Sequence, residues 1–439
     1  MIEKINSRTK IGTLISSSQN AHTDRMETSQ RWRTDRDNLT TIVPNLPQSW
    51  QRPVGENFNG KQVESPTCKI AIAEDILFTP QARADRHQRH SNIAVKPCTP
   101  NSDIDVNPRQ WLLMNNPRLA SVVTAAIDDR WIAHLEDLQQ LAPIADNPEF
   151  QSQWRAVKQA NKQTLADDLD RVLGVKIDVN SLFDVQLQPI DGHQRQLLNI
   201  LHIITLYHQI KENPLLNIVP RTFIFGDIDK REAVVVSPDD QDINLERQMI
   251  ILLIKSLAET LATDQDVQGR LQVVYIPRSA GLTNQIYCAA DLTEQIATAG
   301  MDDVDLSQSK LAVNGALSIA SMGKANHLLQ QTVGSDNCFS FGLAIPEIAL
   351  FKQYGYEPYN YYKYYPEIRQ AIDSLMSGLF TAKYPGVCRT LVELLFDTDE
   401  HMVLADYIFY RTCQERVSEI YRQASLWTRM SILNVAGVG

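Results

Sequence analysis

The stretch Leu182-Phe183-Asp184-Val185-Gln186-Leu187, a short polar link, and then Arg195 to Lys211 decides the fold. The first piece reads as a strand. The second carries Leu197, Leu198, Ile200, Leu201, Ile203, Ile204, Leu206 and Tyr207, too apolar around its circumference for a helix with a solvent face, so it should pack on a sheet. Downstream, Arg221-Thr222-Phe223-Ile224-Phe225 reads as a second strand, Glu246 to Ala262 as a second helix, and Leu271-Gln272-Val273-Val274-Tyr275-Ile276 as a third strand. Strands alternating with helices predict an α/β fold whose parallel sheet is built from right-handed crossovers and flanked by helices.

Upstream of the first strand, Pro108-Arg109-Gln110-Trp111-Leu112-Leu113 places a proline in a first helical turn. Further helix is predicted from Trp131 to Leu141 and from Gln153 to Leu173, and the chain after Asn337 reads as mostly helical to Asn434. Residues 1–100 differ. His22 to Pro66 and Asp85 to Asn92 are too polar to offset the entropy of ordering, so this segment is expected to be polar and partly flexible. Its one apolar run is Ile70-Ala71-Ile72-Ala73 with Ile76-Leu77-Phe78. The expected division is 1–100 and 101–439.

The 439 residues carry a net charge of −10, which argues against a general nucleic-acid binder, since such affinity comes from Lys and Arg on phosphates. No apolar run approaches the ~20 residues of a membrane helix. Met1 to Arg8 leads into no signal core, and Cys68, Cys98, Cys288, Cys338, Cys388 and Cys413 form no CxxC. The expectation is a cytoplasmic protein with reduced thiols, bound to neither nucleic acid nor membrane. No phosphate-binding glycine loop of standard spacing, HExxH or GxSxG is present, and the histidines show no metal-ligand spacing. His202 and His208 lie on or beside the apolar helix and are read as packed rather than ligating.

A longer match is more specific. Phe183-Asp184-Val185-Gln186, Arg195-Gln196-Leu197-Leu198-Asn199, Val219-Pro220-Arg221-Thr222, Ala289 to Gly300, Asn314-Gly315-Ala316-Leu317, Ala405-Asp406-Tyr407, Cys413-Gln414-Glu415-Arg416 and Trp427-Thr428-Arg429-Met430 occur in order. Together they strongly resemble the C-terminal half of the glycogen, starch and maltodextrin phosphorylases. The resemblance implies a Rossmann-like domain like the C-terminal one of a GT-B glycosyltransferase. It also implies phosphorolysis of α-1,4-glucans to glucose 1-phosphate, with pyridoxal phosphate on a lysine acting through its phosphate. Two adjacent phosphates repel each other, so such a site needs positive charge and backbone N–H groups.

The matching positions have lost that charge. Where the family reads Lys-Arg-Ile-His-Glu-Tyr-Lys-Arg-Gln, this chain has Gln188-Pro189-Ile190-Asp191-Gly192-His193-Gln194-Arg195-Gln196. A cofactor-side lysine becomes Gln188, and two substrate-phosphate ligands become Pro189 and Gln194. Proline lacks even a backbone donor. The family's Glu-Ala-Ser-Gly-Thr-Gly-Asn-Met-Lys becomes Asp302-Asp303-Val304-Asp305-Leu306-Ser307-Gln308-Ser309-Lys310, with both glycines replaced, by Asp305 and Ser307. A glycine pair after the second strand becomes Gly226-Asp227-Ile228-Asp229. Lys310 matches the lysine that carries the cofactor, and Asp302 keeps a carboxylate where the family binds sugar.

The family's long N-terminal domain has no counterpart in residues 1–100, and the match stops short of the family's last helix. The resulting expectation is a catalytically inactive phosphorylase-like scaffold. Lys310 is its candidate pyridoxal phosphate site, with the altered phosphate ligands weighing against the cofactor. An α-glucan, or a protein partner on the open cleft face, is its candidate ligand. The alternative is a pyridoxal-phosphate-dependent glucan phosphorylase completed by a separate N-terminal half. The cluster Tyr354, Tyr356, Tyr359, Tyr361, Tyr362, Tyr364, Tyr365 is expected to pack helices, and Asp302, Asp303 and Asp305 to form a solvated acidic loop rather than a cation site.

Overall fold

The structure, a computed structural model, describes residues 108–228, 238–301, 306–381 and 385–438. The expectations for residues 1–100, for Cys68 and Cys98, and for Asp302, Asp303 and Asp305 lie outside them.

Six strands form one sheet: β1 (Leu182–Leu187), β2 (Arg221–Gly226), β3 (Leu271–Ile276), β4 (Leu292–Gln295), β5 (Leu317–Ser321) and β6 (Phe339–Phe341). Every pairing is parallel, and the order is β3-β2-β1-β4-β5-β6. The alternation of side chains along each strand divides the core in two. Leu182, Phe223, Phe225, Leu271 and Val273 face one layer, with helices α4 (Gln196–Glu212) and α5 (Pro238–Thr263). Phe183, Val185, Leu187, Ile224, Val274 and Ile276 face the other, with α3 (Pro148–Leu173) and α6 (Thr283–Ala289). Both faces are thus covered, as an all-parallel sheet requires.

Helix α4 is buried on nearly every side. The sheet covers one flank, and α11 (Pro366–Met376) and α13 (Val403–Tyr421) pack on it from outside. A third cluster joins α1 (Pro108–Asn115), α2 (Pro117–Ile127), α3 and α14 (Ala424–Ala436) through Trp131, Trp154 and Ile432. The remaining helices are α7 (Leu306–Val313), α8 (Lys324–Val333), α9 (Ile345–Tyr354), α10 (Pro358–Tyr364) and α12 (Pro385–Asp397). Asn147 caps α3 by accepting from the amides of Glu149 and Phe150, and Gly174 ends it in the left-handed conformation.

The region predicted as helix from Trp131 to Leu141 is instead two 3₁₀ segments, Arg130–Ile132 and Leu135–Ile144. Pro143 lies inside the second, where it has no N–H to give and its ring blocks the carbonyl four residues back. The Tyr cluster packs largely as expected: Tyr356 on Tyr361, Tyr361 on Tyr365, and Tyr359 and Tyr362 on Phe396. Tyr354 and Tyr364 are exposed. His202 is buried between Phe223 and Tyr410, and His208 bonds Ser374, so both are packed residues. Cys288, Cys338, Cys388 and Cys413 are free and buried, and burial pushes the thiols of Cys288 and Cys413 up to about 12. No described helix is long and apolar enough to cross a membrane.

Candidate functional site at the switch point of the sheet

Strand order reverses between β1 and β4, and ligands of open parallel sheets settle outside the carboxyl ends of the strands at such a point. The link after β1 carries Gln188, Pro189 and Gln194, so the structure brings three of the sequence's candidate positions to this crevice. Gln188 donates from Nε2 to Gln295 Oε1 at 3.1 Å, bridging the ends of β1 and β4. Pro189 contributes only its carbonyl, which accepts from Gln196 Nε2 at 2.9 Å. Gln194 ends a short 3₁₀ turn, Gly192–Gln194, whose amide bonds Asp191 Oδ1 at 2.9 Å. The buried oxygens Gln188 Oε1 and Gln194 Oε1 have no hydrogen-bond partner among the described residues.

Arg195 holds the link in place. It takes the left-handed conformation (φ 53°) and is fully buried. Its guanidinium donates to the carbonyl oxygens of Ile296, His401 and Ala297 and forms an ion pair with Asp406 Oδ2 at 2.6 Å. The second oxygen of Asp406 accepts from Leu343 N at 2.8 Å. Gly342 makes this approach feasible: its φ is +87°, and a Cβ there would stand 2.7 Å from Asp406 Oδ2. One arginine therefore ties together the segments that follow β1, β4 and β6, together with α13.

Charge near the link is acidic. Glu246 on α5 lies against Gly192, where a Cβ would meet its Oε1 at 2.4 Å. Burial, then the Asp191 carboxylate, pushes Glu246 above the usual carboxylate range, opposed by the Gly192 N–H. His193 bonds the Met301 carbonyl at 2.9 Å and sits edge-on to His401, the ring centroids 5.6 Å apart. Burial, then His193, brings His401 down to about 4, so its imidazole is neutral at pH 7.

Beside it, Asp399 caps α13 through the amides of Val403 and Leu404, both at 2.8 Å, and accepts from Tyr356 OH at 2.6 Å. Burial nevertheless raises its carboxyl to about 6. Its unfolded value is about 3.9, so the native state binds more protons between the two, and stability rises as pH falls through this window. We expect wild type to gain about 2 kcal/mol relative to Asp399→Asn between pH 7 and pH 4. Parallel pH profiles of urea midpoints for the two proteins would contradict this.

Lys310 is on α7, half-buried with Nζ 5.6 Å from the ring centroid of Tyr287. Ser307 is on the same helix, and its side chain lies outside the described residues, as do Asp302 and Asp305. The sequence reading did not single out Gln295, Glu246 or His401. Their only signal was position, one at a strand end and two far away in the chain.

A phosphate does not fit the residues that are described here. From Gln188 to Gln194 there is no lysine or arginine, the unpartnered atoms are acceptors, two carboxylates stand at the turn, and Arg195 is spent on protein oxygens. Pyridoxal phosphate and a substrate phosphate each need donors in that place.

The sheet order and the helices on both faces define a Rossmann-like parallel α/β domain. A family model for carbohydrate phosphorylase matches residues 100–439. Glycogen phosphorylase of Synechocystis sp. and the muscle form of Oryctolagus cuniculus are each 38% identical over 335 residues, and the muscle form of Homo sapiens 37%. The chain belongs to the carbohydrate phosphorylase family. The alignment covers 76% of this chain and 38% of each relative, so the chain spans well under half the length of the relatives it matches.

Proposed function

We propose that this chain is a phosphorylase-family domain that binds an uncharged ligand as a scaffold, without catalysing phosphorolysis. The observation that carries the reading is the switch-point link, where neutral or absent donors at Gln188, Pro189 and Gln194 stand beside Asp191 and Glu246. A phosphate about 4 Å from one carboxylate is repelled by roughly 1 kcal/mol per charge pair in water and by several in a less polar cleft. Stabilising a transferring phosphoryl or phosphate group requires the opposite field. Amides and imidazoles keep their hydrogen-bonding capacity for hydroxyl groups, and glycogen, named in the relatives, is an uncharged glucan. Localisation in the cytoplasm belongs to the same reading.

A second reading, a pyridoxal-phosphate-dependent glucan phosphorylase, draws on the retention of Lys310 in a half-buried place beside Tyr287. The two are separated by a phosphorolysis assay on maltodextrin with inorganic phosphate and pyridoxal phosphate. It is run on the chain alone and on the chain co-expressed with the N-terminal half of a phosphorylase, with the rabbit muscle enzyme as standard. We expect no glucose 1-phosphate from either preparation. Release in proportion to the chain's concentration would overturn the scaffold reading.

A further inference from the structure

We infer that Glu294 and Asp184 hold a single proton between them in the middle of the sheet, and that this proton makes the joint of β1 with β4 a pH-sensitive lock beneath the switch point. Asp184 follows Leu182 by two residues and Glu294 follows Leu292 by two, and both leucines belong to one core layer, so the two carboxyls share a face. Asp184 is 1% exposed and Glu294 0%. They lie in hydrogen-bond contact with each other. Asp184 Oδ1 and Glu294 Oε2 receive no hydrogen bond from any other described residue.

The donors around the pair fix where the proton sits. Arg221 on β2 can only donate, and its Nη1 bonds Asp184 Oδ2 at 3.1 Å and also the side-chain oxygen of Gln414 on α13. The Gln414 amide is thereby oriented, and its Nε2 donates to Glu294 Oε1 at 2.7 Å and to Tyr410 OH at 2.9 Å. One oxygen of each carboxyl is thus satisfied as an acceptor, and the other two are left to each other. Two buried acceptors in contact need a hydrogen between them. Arg221 pairs with Asp184, so Glu294 is the group that carries it. The other titratable neighbours add no charge. Burial keeps His202 on α4 neutral, and it keeps the phenol of Tyr410 and the thiol of Cys413 on α13 protonated. Arg411, which acts on His202, is paired with Glu367 and Glu415. The position gives the proton its leverage. β1 pairs with β2 along its whole length, but with β4 only at Asp184 with Leu292 and Val185 with Thr293. The Gln188–Gln295 bridge lies just beyond. When the proton leaves to solvent at alkaline pH, two carboxylates face one guanidinium across this short joint and repel each other.

The test compares the full chain with Glu294→Gln, which still accepts from Gln414 and turns an N–H toward Asp184 but has no proton to lose. The native wild type binds one proton more than its unfolded chain, so its folding constant should fall about tenfold per pH unit relative to the variant's between pH 5 and pH 7, read from urea denaturation. In hydrogen exchange read by mass spectrometry from pH 6 to pH 10, residues 291–296 of wild type should lose protection relative to Glu294→Gln as pH rises, while residues 271–276 on β3 should not. Parallel stability profiles would show that no proton is held, and equal exchange of 291–296 at every pH would show that the proton does not hold the joint; either overturns the inference. The infrared spectrum of wild type reads the proton without any variant: a carboxylic-acid C=O band present at pH 7 and lost at alkaline pH is expected, and its absence at pH 7 overturns the inference as well. None of these outcomes depends on whether the switch-point crevice supports phosphorolysis.

Discussion

Arg195→Ala is expected to destabilise the domain by about 3–5 kcal/mol, because it removes one partner of a buried ion pair and strands the other. Asp406 is 1% exposed and would keep only its bond from the Leu343 amide on one oxygen. The carbonyls of Ile296, Ala297 and His401 would lose their common donor at the same time. Arg195→Lys should recover little, since an ammonium cannot reproduce the planar fork that reaches four oxygens on three segments. Gly342→Ala should act in the same direction from the opposite side of the pair, since its Cβ would meet Asp406 and the φ of +87° disfavours any side chain. Urea denaturation of the three variants tests this, and a loss below about 1 kcal/mol for Arg195→Ala would show that the pair is not what joins these segments.

The second large effect is expected at Lys162, on α3. Its Nζ lies 2.6 Å from Asp291 Oδ2 and 2.5 Å from the Ser181 carbonyl, with both side chains nearly inaccessible. Asp291 Oδ2 also receives the Phe183 amide at 3.0 Å, so this pair fixes the entry of β4 against β1. Lys162→Met leaves an uncompensated buried carboxylate and should cost about 3–5 kcal/mol. The double variant Lys162→Met with Asp291→Asn removes both charges while keeping an acceptor for Phe183. It should be more stable than the single Lys162→Met, because desolvating the lone charge is the main cost. Guanidinium midpoints for the two variants decide the matter; a double variant less stable than the single would contradict it.

Much of the fold could be read from the chain. β1, β2 and β3 are short apolar strands, and α4 is apolar all round because sheet and outer helices enclose it. β4 could not be read that way. Leu292-Thr293-Glu294-Gln295 looks polar, yet all but Gln295 are buried, because Glu294 is held by Gln414 at 2.7 Å from a helix more than a hundred residues away. Burial, then the adjacent Asp184, pushes the Glu294 carboxyl far above its usual range, so it enters the core as a neutral acid. β5 and β6 are too short, and follow too closely on helices, for alternation to declare them.

At the site, the resemblance pointed to Gln188, Pro189 and Gln194, because each differs locally from the family's pattern within a recognisable block. The partnership of Arg195 with Asp406, and the approach of Glu246 to Gly192, were not legible. They join residues remote in the chain, and only the closed sheet sets their distance.

The central claim is that the crevice no longer holds phosphate. The most direct measurement is the near-ultraviolet and visible absorption of the protein after incubation with pyridoxal phosphate, beside Lys310→Ala. The account predicts the same spectrum for both after free cofactor is removed, with no band that borohydride traps. A trapped band in wild type that Lys310→Ala lacks would mean that Lys310 still has a phosphate cradle beside it, and would contradict the account.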